Sequence, residues 1–250
     1  MAQAMKKVAS SEGNGNLTRD GALTDIELGV EASHELDHVE MVTTVSPRGK
    51  IAAPAPSTPP QSKIANPAPL GLLAFGMTTI MLMFLDTGWV DGKGGFKDMV
   101  ACYAIFYGGG IQFLAGMWEM ARGKTFPATA FCSYGAFWLG WGLLHVLSSD
   151  GILSPSSDFK AGERLFLVQW GLLTTVFFLM TLQANYCLQV VFGTLLLTFF
   201  LLAAGLDNDN TKTAAGYVGF ICGLSAVYTA AAEMAQETFN VVLPGLAALA

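Results

Sequence analysis

The sequence predicts an all-α membrane protein, a bundle of six transmembrane helices. Three observations carry that reading. The 250 residues are 52% hydrophobic and only 13% charged, about half the charged share of an ordinary soluble domain, and mean hydropathy is +0.48. The apolar residues gather into six blocks, at about 69–89, 97–120, 127–148, 163–183, 186–206 and 214–236, each near the roughly 20 residues that cross about 30 Å of hydrocarbon. The blocks do not alternate in polarity as barrel strands do. Backbone groups in lipid must bond within their own segment, so the blocks read as helices.

Residues 1–64 stand apart. They carry eight acids, six bases and a Pro-rich stretch at 51–60 (IAAPAPSTPP). So little apolar surface cannot offset the entropy of ordering, and the segment reads as a disordered N-terminal tail. No apolar run follows Met1, so no cleavable signal peptide is expected. Residues 65–240 read as the transmembrane domain and 241–250 as a short C-terminal tail. Nineteen acids against 13 bases give a net charge of −6, which argues against nucleic acid as a partner, because a polyphosphate needs a basic face. The four cysteines, Cys102, Cys132, Cys187 and Cys222, fall inside apolar blocks without zinc-ligand spacing, and read as small buried hydrophobes. No metal and no cofactor is expected.

The first block opens on Asn66-Pro67-Ala68-Pro69-Leu70-Gly71-Leu72. Asn is a strong N-cap and Pro suits the first helical position, so the helix starts at a defined point. Its unpaired N–H groups and partial positive charge suit a carboxylate; a capped helix without a ligand is the alternative. Thr78 and Thr79 follow. The second block holds Gly108, Gly109, Gly110 and Gly116, and places Gln112 and Glu119 seven residues apart, on one helix face. The third places Tyr134, Trp138, Trp141 and His145 at i, i+4, i+7 and i+11, with Gly135, Gly140 and Gly142 among them. That is a face of rings with polar tips. The fourth reads as a membrane-length helix and no more. The fifth carries Gln189, Thr194 and Thr198. The sixth puts Ser225, Thr229 and Glu233 on one stripe, and Gly219 and Gly223 in Gly-x-x-x-Gly spacing beside Gly216. Small residues let helices approach closely in lipid. Polar residues there face cavities or partners, so together these side chains predict an internal polar path. Singly, each has another reading: Ser and Thr can bond their own helix, Trp can sit at the membrane interface, and Glu119 and Glu233 lie near helix ends where water is in reach.

The connections are short. Residues 121–126 (ARGKTF) carry Arg122 and Lys124 and no acid. Six crossings place both termini on one side. Arg48, Lys50, Lys63, Arg122 and Lys124 on that side balance Lys93, Lys97, Lys160, Arg164 and Lys212 on the other, so the count of bases does not choose an orientation. The purely basic 121–126 loop and the long polar tail favour both termini in the cytosol. No Lys or Arg lies deep in a block, so no fixed anion trap is expected.

The run from Asn66, followed by Phe75-Gly76-Met77-Thr78-Thr79, resembles the signature of the acetate uptake transporter family, which includes bacterial succinate–acetate permeases and fungal acetate and ammonia-export proteins. Further matches follow in order: Phe106-Tyr107-Gly108-Gly109, Gln112, Ala115-Gly116, Glu119, Thr129-Ala130-Phe131, Ser133-Tyr134-Gly135 and Phe137-Trp138. The sixth block adds Gly219 to Gly223, Ser225-Ala226-Val227-Tyr228 and Glu233. The likeness covers about residues 63–245. It implies a six-helix protomer with its own pore, assembled as a homo-oligomer, a hexamer, and narrowed by a hydrophobic constriction of Phe, Tyr and Leu. By motif, Phe75 and Tyr134 match the first two; Leu195 is the third, with Leu196 as the alternative.

The resemblance implies acetate or a similar small monocarboxylate as cargo, with succinate in the wider set, protons as the linked partner and membrane lipid as the surroundings. It places the chain in the plasma membrane as a multi-pass protein. Substrate contacts are expected from Asn66, Thr78, Thr79, Gln112, Trp138, Gln189, Ser225 and Ala226, with Asn66, Thr79 and Tyr134 as donors to the carboxyl group. Glu119 and Glu233 are the candidate proton relay. Met83 and Asp86 depart from the Asn-like residues expected at the end of the first helix. The 1–64 tail has no counterpart in the short bacterial members and looks like that of a eukaryotic one. An ammonia or ammonium exit path and a non-transporting sensor or scaffold are the other readings. No nucleophile–base pair and no metal-ligand cluster in the sequence supports an enzyme.

Overall fold

The computed structural model describes residues 64–91, 95–153, 156 and 158–249. The expected tail, apart from Ile64, lies outside the described residues. Six helices are long and apolar enough to cross a membrane: α1 (Ala68–Asp86), α2 (Phe96–Ala121), α3 (Thr125–Ser149), α4 (Phe159–Thr181), α5 (Tyr186–Gly205) and α6 (Asp209–Phe239). No strand occurs among the described residues.

Local sequence sets where these helices begin. Pro67 already has helical dihedrals (φ −84, ψ −9), and the Asn66 Oδ1 accepts the Ala68 N–H at 3.2 Å. Asn185 caps α5 by accepting from the Leu188 N–H at 2.9 Å, and Asn208 caps α6 by accepting from the Thr211 N–H at 3.0 Å. These are the side-chain caps expected of Asn. The α6 cap explains why that helix starts at Asp209, ahead of its apolar block. Hydropathy marks the hydrocarbon span, whereas the cap and the first-turn acid mark the helix end.

The helices form a ring in chain order, each packed on the next, and α6 closes the ring against α1. Glycines decide the closest crossings. A Cβ on Gly76 would stand 2.7 Å from the Gly223 carbonyl, and one on Gly223 would stand 2.8 Å from the Gly76 carbonyl, so α1 and α6 touch backbone to backbone. Gly135 meets the Phe113 N–H edge of α2 in the same way, at 2.8 Å. Gly140 does not belong to this set, because nothing lies within 4 Å of its Cβ position. The α3–α4 contact is instead made by rings: Phe137 stacks on Phe166 at 5.6 Å and meets Trp170 edge-on at 5.1 Å.

Helix α2 is not uniform. Residues Ala104–Ile111 (AIFYGGGI) form a π-helix between two α-helical stretches, where the sequence alone reads as an ordinary helix. Such wide turns are rare and cluster at functional sites. Here Gly108 gives way to Thr78 of α1 and Gly109 to Leu139 of α3, so the widened turn is wedged between two neighbours.

The residues after α6 fold back onto the bundle. The Cys187 N–H donates to the Gly245 carbonyl at 3.1 Å and the Leu249 N–H to the Ala184 carbonyl at 2.9 Å. Leu246 is buried against Cys187 and Ala232. At the opposite end, Lys160 and Arg164 of α4 pair with Asp207, and Lys160 first, then Arg164, hold that carboxyl below the usual range.

Candidate functional site

The ring encloses a cavity of about 260 Å³ at the end of the bundle that carries Asn66 and the turn after α2, here the proximal end. Its rim is polar, with Asn66 entering α1, Glu119, Arg122 and Lys124 around the end of α2, and Glu233 on α6. Its wall is apolar, chiefly Leu72, Phe126, Phe131, Leu188 and Phe192. Phe75, Tyr134 and Leu195 complete the lining. Phe75 lies seven residues past the first residue of its helix, and Tyr134 and Leu195 nine. All three helices run from the proximal end, so at 1.5 Å per residue the three side chains share a level about 10–14 Å deep.

Each of the three is at least 95% buried. The Phe75 and Tyr134 rings lie 5.7 Å apart, and Tyr134 also meets Trp170, Phe177 and Phe192 at 5.9, 5.8 and 6.3 Å. Its hydroxyl is 2.9 Å from the Thr174 hydroxyl. Thr174 spends its one proton on the Trp170 carbonyl at 2.7 Å, so Tyr134 is the donor of the pair. In this arrangement the Tyr134 hydroxyl is engaged with Thr174, and Tyr134 lines the cavity as one of its rings.

Asn66, Glu233, Arg122 and Glu119 form one connected network at the rim. The Asn66 Nδ2 donates to Glu233 Oε2 at 3.0 Å, and Arg122 Nη1 donates to Asn66 Oδ1 at 2.7 Å. Arg122 Nη1 also reaches Glu119 Oε1 at 3.4 Å. Glu119 is 98% buried, and its Oε2 has no hydrogen-bond partner among the described residues. Gln112, 99% buried on the same helix, lines the cavity with neither its amide oxygen nor its nitrogen paired. Buried polar groups are rarely left so.

Of the expected substrate and proton residues, Asn66, Gln112, Glu119 and Glu233 line this cavity together with Phe75, Tyr134 and Leu195, and the others do not. Thr79 donates to its own helix, to the Phe75 carbonyl at 2.8 Å. Ser225 donates to Cys222 at 2.7 Å and Thr229 to Ser225 at 2.7 Å, so of the α6 stripe only Glu233 reaches the cavity. A hydroxyl in a helix satisfies itself on the preceding turn. Ala226 packs beneath Gly76 at the α1–α6 crossing. Gln189 donates to the Thr181 and Leu182 carbonyls at 3.3 and 3.2 Å and lies in a separate outer groove with Leu196. Thr78 and Trp138 are buried, each with an unpaired polar atom, one turn beyond Phe75 and Tyr134. From Trp138 the rings continue to Trp141 at 6.2 Å and His145 at 5.7 Å, where His145 meets Asp98 at 3.3 Å. Sequence reasoning missed Arg122 and Lys124 as lining residues. The signal was present: Arg122 is three residues past Glu119, in the loop with bases and no acid.

A ring of membrane-length helices around an interior cavity, polar at its rim and lined deeper by buried rings, is an architecture that suits a membrane transport protein. The chain belongs to the GPR1/FUN34/yaaH family, which it matches over residues 49–247, and the resemblance carried by the Asn66 run is thereby borne out. It is similar to the succinate-acetate/proton symporter SatP of Escherichia coli, 41% identical over 71% of this chain and 93% of that protein. It is 37% identical to acetate permease A of Emericella nidulans, over 68% of this chain and 62% of that one, and 35% identical to ammonia transport outward protein 2 of Saccharomyces cerevisiae, over 71% and 64%. Its fold superimposes on the structure of the bacterial acetate channel SatP with a TM-score of 0.69 at 38% identity, over 74% of this chain and all of that one.

Proposed function

We propose that this protein carries acetate and similar small monocarboxylates, with succinate at the edge of its range, across the plasma membrane, linked to protons and through the Phe75–Tyr134–Leu195 constriction. The observation that supports the reading is the depth profile of the cavity: charged groups at the rim, the unpaired Gln112 amide inside, and apolar rings beyond. An anion entering so apolar a passage loses several kcal/mol or more of solvation, and protonation removes most of that cost. Glu119 and Glu233 at the rim are the groups placed to exchange the proton. Phe75, Tyr134 and Leu195 select by size and by excluding water. The unpaired atoms of Thr78 and Trp138 beyond the constriction supply a second polar station. The working unit is a hexamer with one pore per protomer, both termini in the cytosol. One bacterial relative is named a proton symporter, the bacterial structure it resembles is named a channel, and a yeast relative is named for ammonia, so the test has three arms. Labelled acetate uptake by proteoliposomes should exceed that of protein-free liposomes, and should rise when an inward proton gradient is imposed. Methylammonium uptake equal to or above that of acetate would favour the ammonia reading instead. Absence of both fluxes would leave a non-transporting role.

A further inference from the structure

We propose that Arg122 is a carboxylate-receiving group at the proximal mouth, held ready by Asn66 and only loosely by Glu119, so that a substrate carboxylate displaces Glu119 from it. The proposal rests on the transport reading above and assigns its first station. Arg122 is the residue immediately after α2, where a cation meets the negative end of the helix dipole. Its side chain is four-fifths buried in the cavity rim. Asn66 anchors it through a short bond of 2.7 Å, and the Asn66 amide is oriented in turn by Glu233 and by the Ala68 N–H. Glu119 is a poorer partner. Its Oε1 stands 3.4 Å from Nη1, beyond the usual range for a charged hydrogen bond. Moreover, Nη1 is the nitrogen that serves both contacts, while the buried Nε–H has no partner among the described residues.

A guanidinium has five N–H donors in a planar fork matched to a carboxylate. A small acid arriving at the rim therefore offers this fork a better partner than Glu119 does. A further group points the same way. Gln112 lines this cavity and is nearly wholly buried, and its amide is unpaired. Gln112 is seven residues earlier on α2, about 10 Å along the axis toward the constriction. Arg122 and Gln112 are then successive stations, a charged one that receives the anion and a neutral one that passes the acid onward. An expected lack of any fixed anion site follows from the depth of the basic residues in sequence, but the fold brings this one to the cavity all the same.

The test is acetate–acetate exchange in proteoliposomes at equal pH and equal concentration on both faces, which reads KM without a proton driving force and without regard to orientation. Arg122→Gln should raise KM about tenfold, the order expected for losing a charge-assisted hydrogen-bonded pair, with Arg122→Lys in between. Glu119→Gln removes the competitor and should lower KM. Opposite signs are the signature, because a purely structural role in tying the rim together would move both variants in the same direction. All variants are compared at equal amounts of monodisperse protein, and if Arg122→Gln does not fold, Arg122→Lys and Glu119→Gln carry the same comparison. Wild-type exchange with KM unchanged in the variants, or shifted upward in both, overturns this proposal alone. Absence of wild-type exchange overturns the transport reading and this proposal with it.

Discussion

The smallest scale at which this protein can be questioned is the ring level shared by Phe75, Tyr134 and Leu195. Each is buried and lines the same cavity, so a change in one changes the passage rather than the lipid face. Leu195→Ala removes three carbons and should raise succinate uptake relative to acetate while acetate flux persists. Tyr134→Ala should raise that ratio further. Tyr134→Phe keeps the ring but releases the hydroxyl from Thr174, and should move the ratio far less than Ala does, while costing about 1 kcal/mol of stability. Uptake of the two acids, normalised to folded protein, measures all three. A ratio unchanged in both Ala variants would remove this level as the selective one, since loss of a merely packed leucine costs about 2–5 kcal/mol of stability without altering what passes.

At the scale of the helix, close contact rests on named glycines. Gly76 and Gly223 leave no room for a methyl group, because the partner carbonyl already occupies it. Gly76→Ala should therefore destabilise the bundle by about 1–3 kcal/mol through overpacking. Gly140 faces open space on α3, and Gly140→Ala should be neutral or stabilising by up to about 1 kcal/mol, the helix-propensity gain. Thermal unfolding of the two variants in detergent separates them, and equal melting temperatures would show that the α1–α6 crossing is not held by glycine. The same reasoning explains why α1 can lie so near the π-helical turn of α2. Gly108 has no side chain to keep Thr78 away.

For the whole molecule, the helices that make up the ring all lie within residues 64–249. Deleting residues 1–55 should thus preserve acetate flux in proteoliposomes while altering regulation or surface level in cells. A purified truncated protein that is folded but inactive would overturn this. With six crossings, a tag at Glu40 and one after Leu249 should be protected together in intact cells. Labelling of the Glu40 tag from outside would reverse the orientation proposed here.

Much of this was legible along the chain. Apolar length predicts six helices, Asn66 marks where the first of them starts, and the motif around Asn66 carries the family. Phe75 and Tyr134 come by motif as well. What the chain could not supply is the direction in which each side chain faces. In a soluble helix an apolar stripe marks the buried side, but here the lipid-facing residues are as apolar as the core. Phe106 is 74% exposed and Leu165 is 71% exposed, and nothing in their identity sets them apart from Phe75 or Leu195. Leu195 and Leu196 differ by about 100° around α5, and only the packed ring places the first in the cavity and the second in the outer groove. The same holds for polar groups. Whether Thr79, Ser225 or Tyr134 keeps a proton for a ligand depends on which acceptor lies within reach, and whether Arg122 meets Asn66 depends on the start of α1 lying beside the end of α2. Length, caps and motif are local properties of a sequence, whereas facing and pairing are set by the neighbours that packing brings.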